Sequence, residues 1–460
     1  MTPPPDLVDK SLPPVKAGDA LIATLLARIE TLMAENARLA ARVLDLEAKI
    51  GGPRKGPGNS SVPPSQGQKP SGSGQSKGKA KPHAGAHRPL HPNPTSKRDV
   101  FASACQCGAD VSGVIQAARE TYDCVEIPAI APDVTRVTLH GGVCPCCAGR
   151  FKASAPDGLE PGSPFGPNLR AQVFYLRFVQ CIPLARLAGV LFDMFGLTIS
   201  EGALVNILKA GQDAFAEQTD RFKADLKSGS VIASDETGMR VGKANRWLWV
   251  FHHGPTALFL GNQSRAKAVV EDFLGDWRPD FWVSDRYGGQ MGWAAKDHQY
   301  CLAHLMRDVQ YAIDGGDGVL APRLLDLLVD ACAIGRRRDD LTDRTLRVYE
   351  AKLDRRLDKL MALAPTAPSG RRLRKIFLKI RAHLFVFVTN RNVSATNNGS
   401  ERAIRPCTIY RKITNGFRAQ WAASLYADTR GAVETGRRRA VRAIDAIRLT
   451  LQGLPIPIPA

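Results

Sequence analysis

Asp235 and Asp285 each follow a run of β-branched and aromatic residues, SVIAS before the first and FWVS before the second. Runs of this kind have the composition of short strands, so both carboxylates are expected at strand ends. Adjacent strands in one sheet would bring them together at its edge. Glu401 lies much further along the chain, in NNGSERAIRP, at the start of a short helical segment expected to end at Pro406. Three converging carboxylates are hard oxygen donors of the kind that hold Mg²⁺ or Mn²⁺. Two such ions about 3.5–4 Å apart activate an attacking oxygen and stabilise the leaving one in displacement at phosphorus, with no covalent protein nucleophile. Each acid also has a purely structural reading. Glu236 adjoins Asp235 and could be the ligand instead. Asp285 could form a surface ion pair with Arg286, and Glu401 could close a capping box with Asn398.

Cysteines form the second chemical group. Six of the ten lie between positions 105 and 147, a clustering that in a reducing compartment suggests zinc rather than disulfides. Cys105 and Cys107 form one pair, and Cys144, Cys146 and Cys147 supply another. Four thiolates from two knuckles make a closed tetrahedral Zn²⁺ site that can stabilise a module too small for its own core. Cys105, Cys107, Cys144 and Cys147 are the expected ligands, since C-x-x-C is the commoner knuckle; Cys146 competes with Cys147. The segments TYDCVEIP and DVTRVTL between the pairs read as strands. Cys301 and His304, in CLAHLMRD, form a lone C-x-x-H pair with no partner pair, so packing behind the acids accounts for them as well as metal binding does.

Cations form the third. Arg402, Arg405, Arg411, Lys412 and Arg418 surround Glu401 in the chain, and placing a phosphodiester beside metal ions calls for such residues. The whole chain carries 63 Lys and Arg against 44 Asp and Glu, a net charge of +19. That excess points to a polyanionic partner, whose phosphates each release counterions when neutralised. No run approaches the roughly 18 apolar residues of a membrane span, and the N-terminal residues have no apolar signal core, so a cytoplasmic protein is expected. Trp247 and Trp249 alternate along a strand, which favours burial over base stacking.

The elements that must position these groups are legible from periodicity. Ile22, Leu25, Ile29, Leu32, Asn36, Leu39, Val43, Leu46 and Ile50 follow a 3, 4 spacing throughout. Leucine at the d positions and a single Asn at an a position favour a two-stranded parallel coiled coil, so residues 22–50 predict a homodimer, with Arg42 and Glu47 placed to pair across it. Residues 51–98 are rich in Gly, Pro and Ser, carry nine Lys/Arg and no acid, and cannot bury enough apolar area to fold alone. The stretch from about 167 to 226 reads as helical. Strands at SVIAS, RWLWVF and ALFL, a helix at RAKAVVEDFLGDW and a strand at FWVS then follow, the order of a ribonuclease H-like core. QYCLAHLMRDVQYAI reads as a strand or turn leading into a helix, and residues 318–390 as amphipathic helices broken at APTAPSG.

The motifs SDETGMRV, WVSDRYGGQ followed by CLAHLMRD, and TNNGSERAIRPCTIYRKITNGFR together resemble the IS66 family of bacterial insertion-sequence transposases. GPNLRAQVFYLRFVQCIPLARLAGVLFDMFGLTIS and GNSSVPPSQGQKPSG are similar to that family's upstream segments, in the same order. The resemblance implies a DDE transposase of ribonuclease H-like fold, with Asp235, Asp285 and Glu401 as the catalytic acids and a helical insertion before the third. It also implies a zinc-binding module, usually with two C-x-x-C pairs; here Ala104 stands where the first cysteine would fall. The expected organisation is a leucine-zipper-like coiled coil at 20–50, a basic linker at 51–98 and a zinc-ribbon-like module at 99–152. A helical domain at 160–226, the core at 227–420 and a basic element at 421–460 complete it. The partners so implied are the inverted ends of the element and target DNA, with element-encoded accessory proteins.

Overall fold

A computed structural model describes residues 18–50, 53, 55–56, 58–59 and 88–458. Most of the expected linker therefore lies outside the described residues. The chain divides into two compact units, one comprising 1–67, 174–181 and 209–460, the other 68–173 and 182–208.

The first unit begins with α1 (Gly18–Ile50). Ile22, Leu25, Ile29, Leu32, Leu39 and Val43 on this helix are all exposed, leaving an apolar stripe uncovered within a single chain. The side chains of Leu46 and Ile50, the last positions of the repeat, lie outside the described residues.

The second unit contains a small hairpin, β1 (Gly141–Val143) antiparallel to β2 (Arg150–Lys152), and three helices: most of α2 (Pro167–Phe174), all of α3 (Leu184–Phe195) and most of α4 (Glu201–Ala210). The two strands expected at TYDCVEIP and DVTRVTL do not form. Val125, Ile127 and Val134 there are exposed, and an extended chain becomes a strand only when a neighbour accepts its ladder hydrogen bonds.

The sheet belongs to the first unit and contains β3 (Val231–Val241), β4 (Ala244–His253), β5 (Thr256–Asn262), β6 (Phe281–Ser284) and β7 (Asp297–Tyr300) in the order β5-β4-β3-β6-β7. β3, β4 and β5 form an antiparallel meander, whereas β6 and β7 run parallel to β3. Alternation along β3 sends successive side chains to opposite faces. Ile232, with Trp249, Phe251 and Trp282, packs on α6 (Ala268–Leu274) through Val269, Val270, Phe273 and Leu274. Trp249 is fully buried, and Trp247 is half-buried beneath Arg265.

Val231, Ala233 and Val283 face the other way, into a cluster shared with α7 (Leu302–Asp314), α8 (Leu320–Arg337), α9 (Asp343–Met361), α10 (Pro368–Ile380) and the short α11 (Val386–Thr389). The helical insertion is thus one apolar body against the sheet. Then come α12 (Asn398–Thr414), α13 (Gln420–Arg438) and α14 (Ala443–Leu451). α13 and α5 (Gln212–Lys227) pack on β5. No helix among the described residues is long and apolar enough to cross a membrane.

Candidate active site

Register brings the first two acids level. Ala233 of β3 pairs with Val283 of β6, and Asp235 and Asp285 each stand two residues further on. Neighbouring strands lie about 4.8 Å apart, so the two carboxylates face the same cleft where β3 and β6 part. Asp285 sits just past the end of β6, as expected. Asp235 does not end its strand: β3 continues to Val241, and Asp235 pairs with Val250 of β4. The antiparallel partner carries β3 on after its parallel partner has stopped.

Asp235 Oδ1 accepts the Glu236 N–H at 2.9 Å, and Asp285 Oδ1 accepts the Tyr287 N–H at 2.8 Å. Burial holds the Asp235 carboxyl well above the usual carboxylate range, and the charges of Glu236, Asp285 and Glu401 push it the same way. Glu236 projects to the opposite face of β3. There it accepts from Arg265 Nε at 2.7 Å and from Gln290, while the Arg265 guanidinium stacks 3.8 Å from the Tyr287 ring centroid. Arg286 pairs with Asp308 rather than with Asp285.

Glu401 comes from the first turn of α12. That helix runs through Pro406 to Thr414 instead of ending there. The missing proline N–H weakens one turn, and the buried face of Ala403, Ile404, Cys407 and Tyr410 holds the helix together across it. No side chain caps the helix start. Glu401 Oε1 instead meets Arg307 at 3.2 Å and His304 Nδ1 at 3.6 Å, both on α7. Burial, and then the nearby Arg307 charge, keep the His304 pKa below its ordinary value. The sequence had shown no role for Arg307, although it stands one turn beyond His304 in CLAHLMRD. Among the described residues, no three His, Cys, Asp or Glu side chains are drawn within reach of one ion. Glu401 is turned to Arg307 in this arrangement.

The cations around Glu401 divide by environment. Arg402, Arg405 and Lys412 are exposed on α12, and Arg418 is exposed beyond it. Arg411 is half-buried and donates to the Gly238 carbonyl of β3. In the Arg437–Arg439 run, Arg437 and Arg438 pair with the buried Glu434 of their own helix while the Arg437 side chain stays exposed, and Arg439 reaches Asp225 at 2.7 Å.

In the other unit Cys105 and Cys107 occupy one tight turn, and Cys144, Cys146 and Cys147 another. Cys105 N–H donates to Ala109 O at 2.8 Å, with Gly108 closing the turn at φ +90. Cys144 lies between β1 and β2, its N–H donating to Gly149 O at 2.9 Å. The Cys107 N–H and thiol lower the Cys105 pKa, and the N–H groups of Cys147 and then Cys146 lower that of Cys144.

These features define a class of protein: a mixed α/β core with acids gathered at the point where two parallel strands part, flanked by exposed arginines. Residues 162–425, more than half of the chain, match the family described as Transposase IS66 family. The chain belongs to that family, whose members are nucleic-acid-modifying enzymes acting on DNA. No curated protein matches it significantly.

Proposed function

We propose that this chain is the DNA transposase of a bacterial insertion sequence, binding the ends of its element and carrying out phosphodiester hydrolysis and strand transfer at Asp235, Asp285 and Glu401. The observation that carries this reading is the level register of Asp235 and Asp285 on parallel neighbours, with the Glu401 charge felt at Asp235. The meander β3-β4-β5, the α6 crossover and the parallel strands β6 and β7 support a ribonuclease H-like DDE core.

The acid cleft suits divalent cations. Its donors are hard oxygens, and the carboxylate charges that raise the Asp235 pKa are what a cation would neutralise. Asp235, Asp285 and Glu401 would hold magnesium or manganese there, and such an ion would activate a water or a DNA 3′-hydroxyl and stabilise the leaving oxygen. The Asp235 and Asp285 carboxylates are oriented by the backbone N–H groups they accept from. To join the donor set Glu401 would turn from Arg307, and the Arg307 guanidinium would then be available to a phosphate. Arg402, Arg405, Lys412 and Arg418 neutralise phosphates alongside, and Arg411 fixes α12 to β3.

Zinc at Cys105, Cys107, Cys144 and Cys147 is proposed for the other unit. Its support is the pair of turns whose N–H groups favour the thiolates of Cys105 and Cys144, and the contact of Cys144 with Cys147. The apolar stripe of α1 supports a homodimer through residues 22–50.

The test of the central reading is Asp285→Asn. It should lower Mg²⁺-dependent cleavage of a duplex carrying the inverted repeat of the element at least about 1000-fold, with duplex binding retained. Undiminished cleavage would refute the assignment.

A further inference from the structure

Each of the three acids follows a serine, and all three serines, Ser234, Ser284 and Ser400, are completely buried. One residue connects them. Asn397, itself 1% exposed, donates from Nδ2 to the Ser234 carbonyl at 2.7 Å. Its Oδ1 accepts the Ser400 hydroxyl at 2.5 Å. Its backbone N–H donates to Cys301 Sγ at 3.1 Å, and the Cys301 N–H in turn donates to the Ser284 carbonyl at 2.9 Å. The residue before each carboxylate is therefore tied, directly or through Cys301, to a single side chain and its own amide.

His252 of β4 completes the arrangement. Its Nε2 lies 2.9 Å from Ser400 Oγ. Because the Ser400 hydroxyl donates to Asn397, the imidazole must donate to Ser400 from Nε2. An alanine at 399 would place its Cβ 2.9 Å from the His252 ring, so only glycine lets the imidazole approach the helix start. Cys301 lies beneath the cleft as a thiol, its pKa pushed up to about 11 by burial, and so remains a neutral acceptor.

We propose that Asn397 is the positioning residue of the acid cleft, setting the spacing of Asp235, Asp285 and Glu401 through hydrogen bonds to the residues that precede them. The proposal rests on the metal-site reading above. Apolar packing can hold a helix against a sheet with some play, but three carboxylates meant for shared cations need closer placement than that. Asn can do this because it offers a donor and an acceptor on one short side chain. Asp would keep the acceptor for Ser400 but face the Ser234 carbonyl with a second oxygen.

The experiment is a Mn²⁺ titration of the full chain by calorimetry, with Asp285→Asn as the reference for sites outside the cleft. Asn397→Ala should weaken cleft binding about 10- to 100-fold, the range for groups that orient ligands rather than ligate. Its kcat for cleavage of the inverted-repeat duplex should fall while KM for that duplex stays within about 2-fold. Ser400→Ala, a small change that tests the same link if Asn397→Ala fails to fold, should weaken Mn²⁺ in the same direction by a smaller factor. The double variant should be less impaired than the product of the two single effects, since both remove one path. Wild-type Mn²⁺ affinity in folded Asn397→Ala, or in Ser400→Ala where only that variant folds, overturns the proposal. A wild-type protein that binds Mn²⁺ no better than Asp285→Asn overturns the metal-site reading and this proposal with it.

Discussion

Asp235 carries a charge that its surroundings oppose. Burial and the neighbouring carboxylates raise its pKa well above the usual carboxylate range. A carboxyl raised in this way costs nothing to folding at low pH, where folded and unfolded chains are both protonated. The cost grows as pH rises through the unfolded value, because only the unfolded chain has released its proton, and it levels off above the folded value. Asp235→Asn should therefore stabilise the metal-free protein while abolishing cleavage, a stability gained at the expense of activity. Thermal melts should show a Tm increase of at least about 3 °C near pH 7.5 that shrinks toward pH 5. A gap that fails to narrow on acidification would contradict the account of this carboxyl. Of the competing readings at this scale, Glu236 is directed to the opposite face of the strand and Arg286 to Asp308.

At the scale of elements, α12 is fixed to β3 at both ends. Its start is held by the Asn397 network, and its end by the loop that follows. Phe417 N–H donates to the Arg240 carbonyl at 2.8 Å, and Gly242 N–H to the Phe417 carbonyl at 2.7 Å. Gly416 makes this possible at φ +94, and a Cβ there would lie 2.3 Å from the Arg240 oxygen. Gly416→Ala should cost about 2 kcal/mol from the strained backbone alone and more from the collision, read as a lower urea midpoint. An unchanged midpoint would mean that this loop does not anchor α12. Strand and helix types were readable here because SVIAS, FWVS and the amphipathic insertion have distinct periods. The extent of β3 and of α12 was not, since the β4 ladder extends the first and the buried face of the second carries it past Pro406.

At the scale of the molecule, the uncovered stripe on α1 and the net charge of +19 concern partners rather than the fold. Apolar side chains repeating every 3.5 residues lower their free energy by facing a second copy, and Asn36 at an a position favours two strands in register. Leu25→Asp combined with Leu32→Asp should convert a sedimenting dimer to a monomer without changing the fold of the sheet unit. A wild-type chain that sediments as a monomer at micromolar concentration would argue against the zipper. Arg437, Arg438 and Arg439 divide by partner: Arg437 and Arg438 pair with Glu434 within α13, Arg438 also donates to the Gly254 carbonyl, and Arg439 joins Asp225 of α5.

Local pattern determined the kinds of element, the candidate acids and the family motifs around them, because period and composition are properties of short segments. Tertiary structure decided what those motifs are joined to. Asn397 lies about a hundred residues from Cys301 and Ser284, and the three meet only because β6 and β7 pair in one register and α12 returns against β3. Glu401 was indistinguishable from a helix-capping acid until its partners on α7 were in place. A hydrogen bond between distant residues depends on where the whole chain puts them, and no spacing within a motif records that distance.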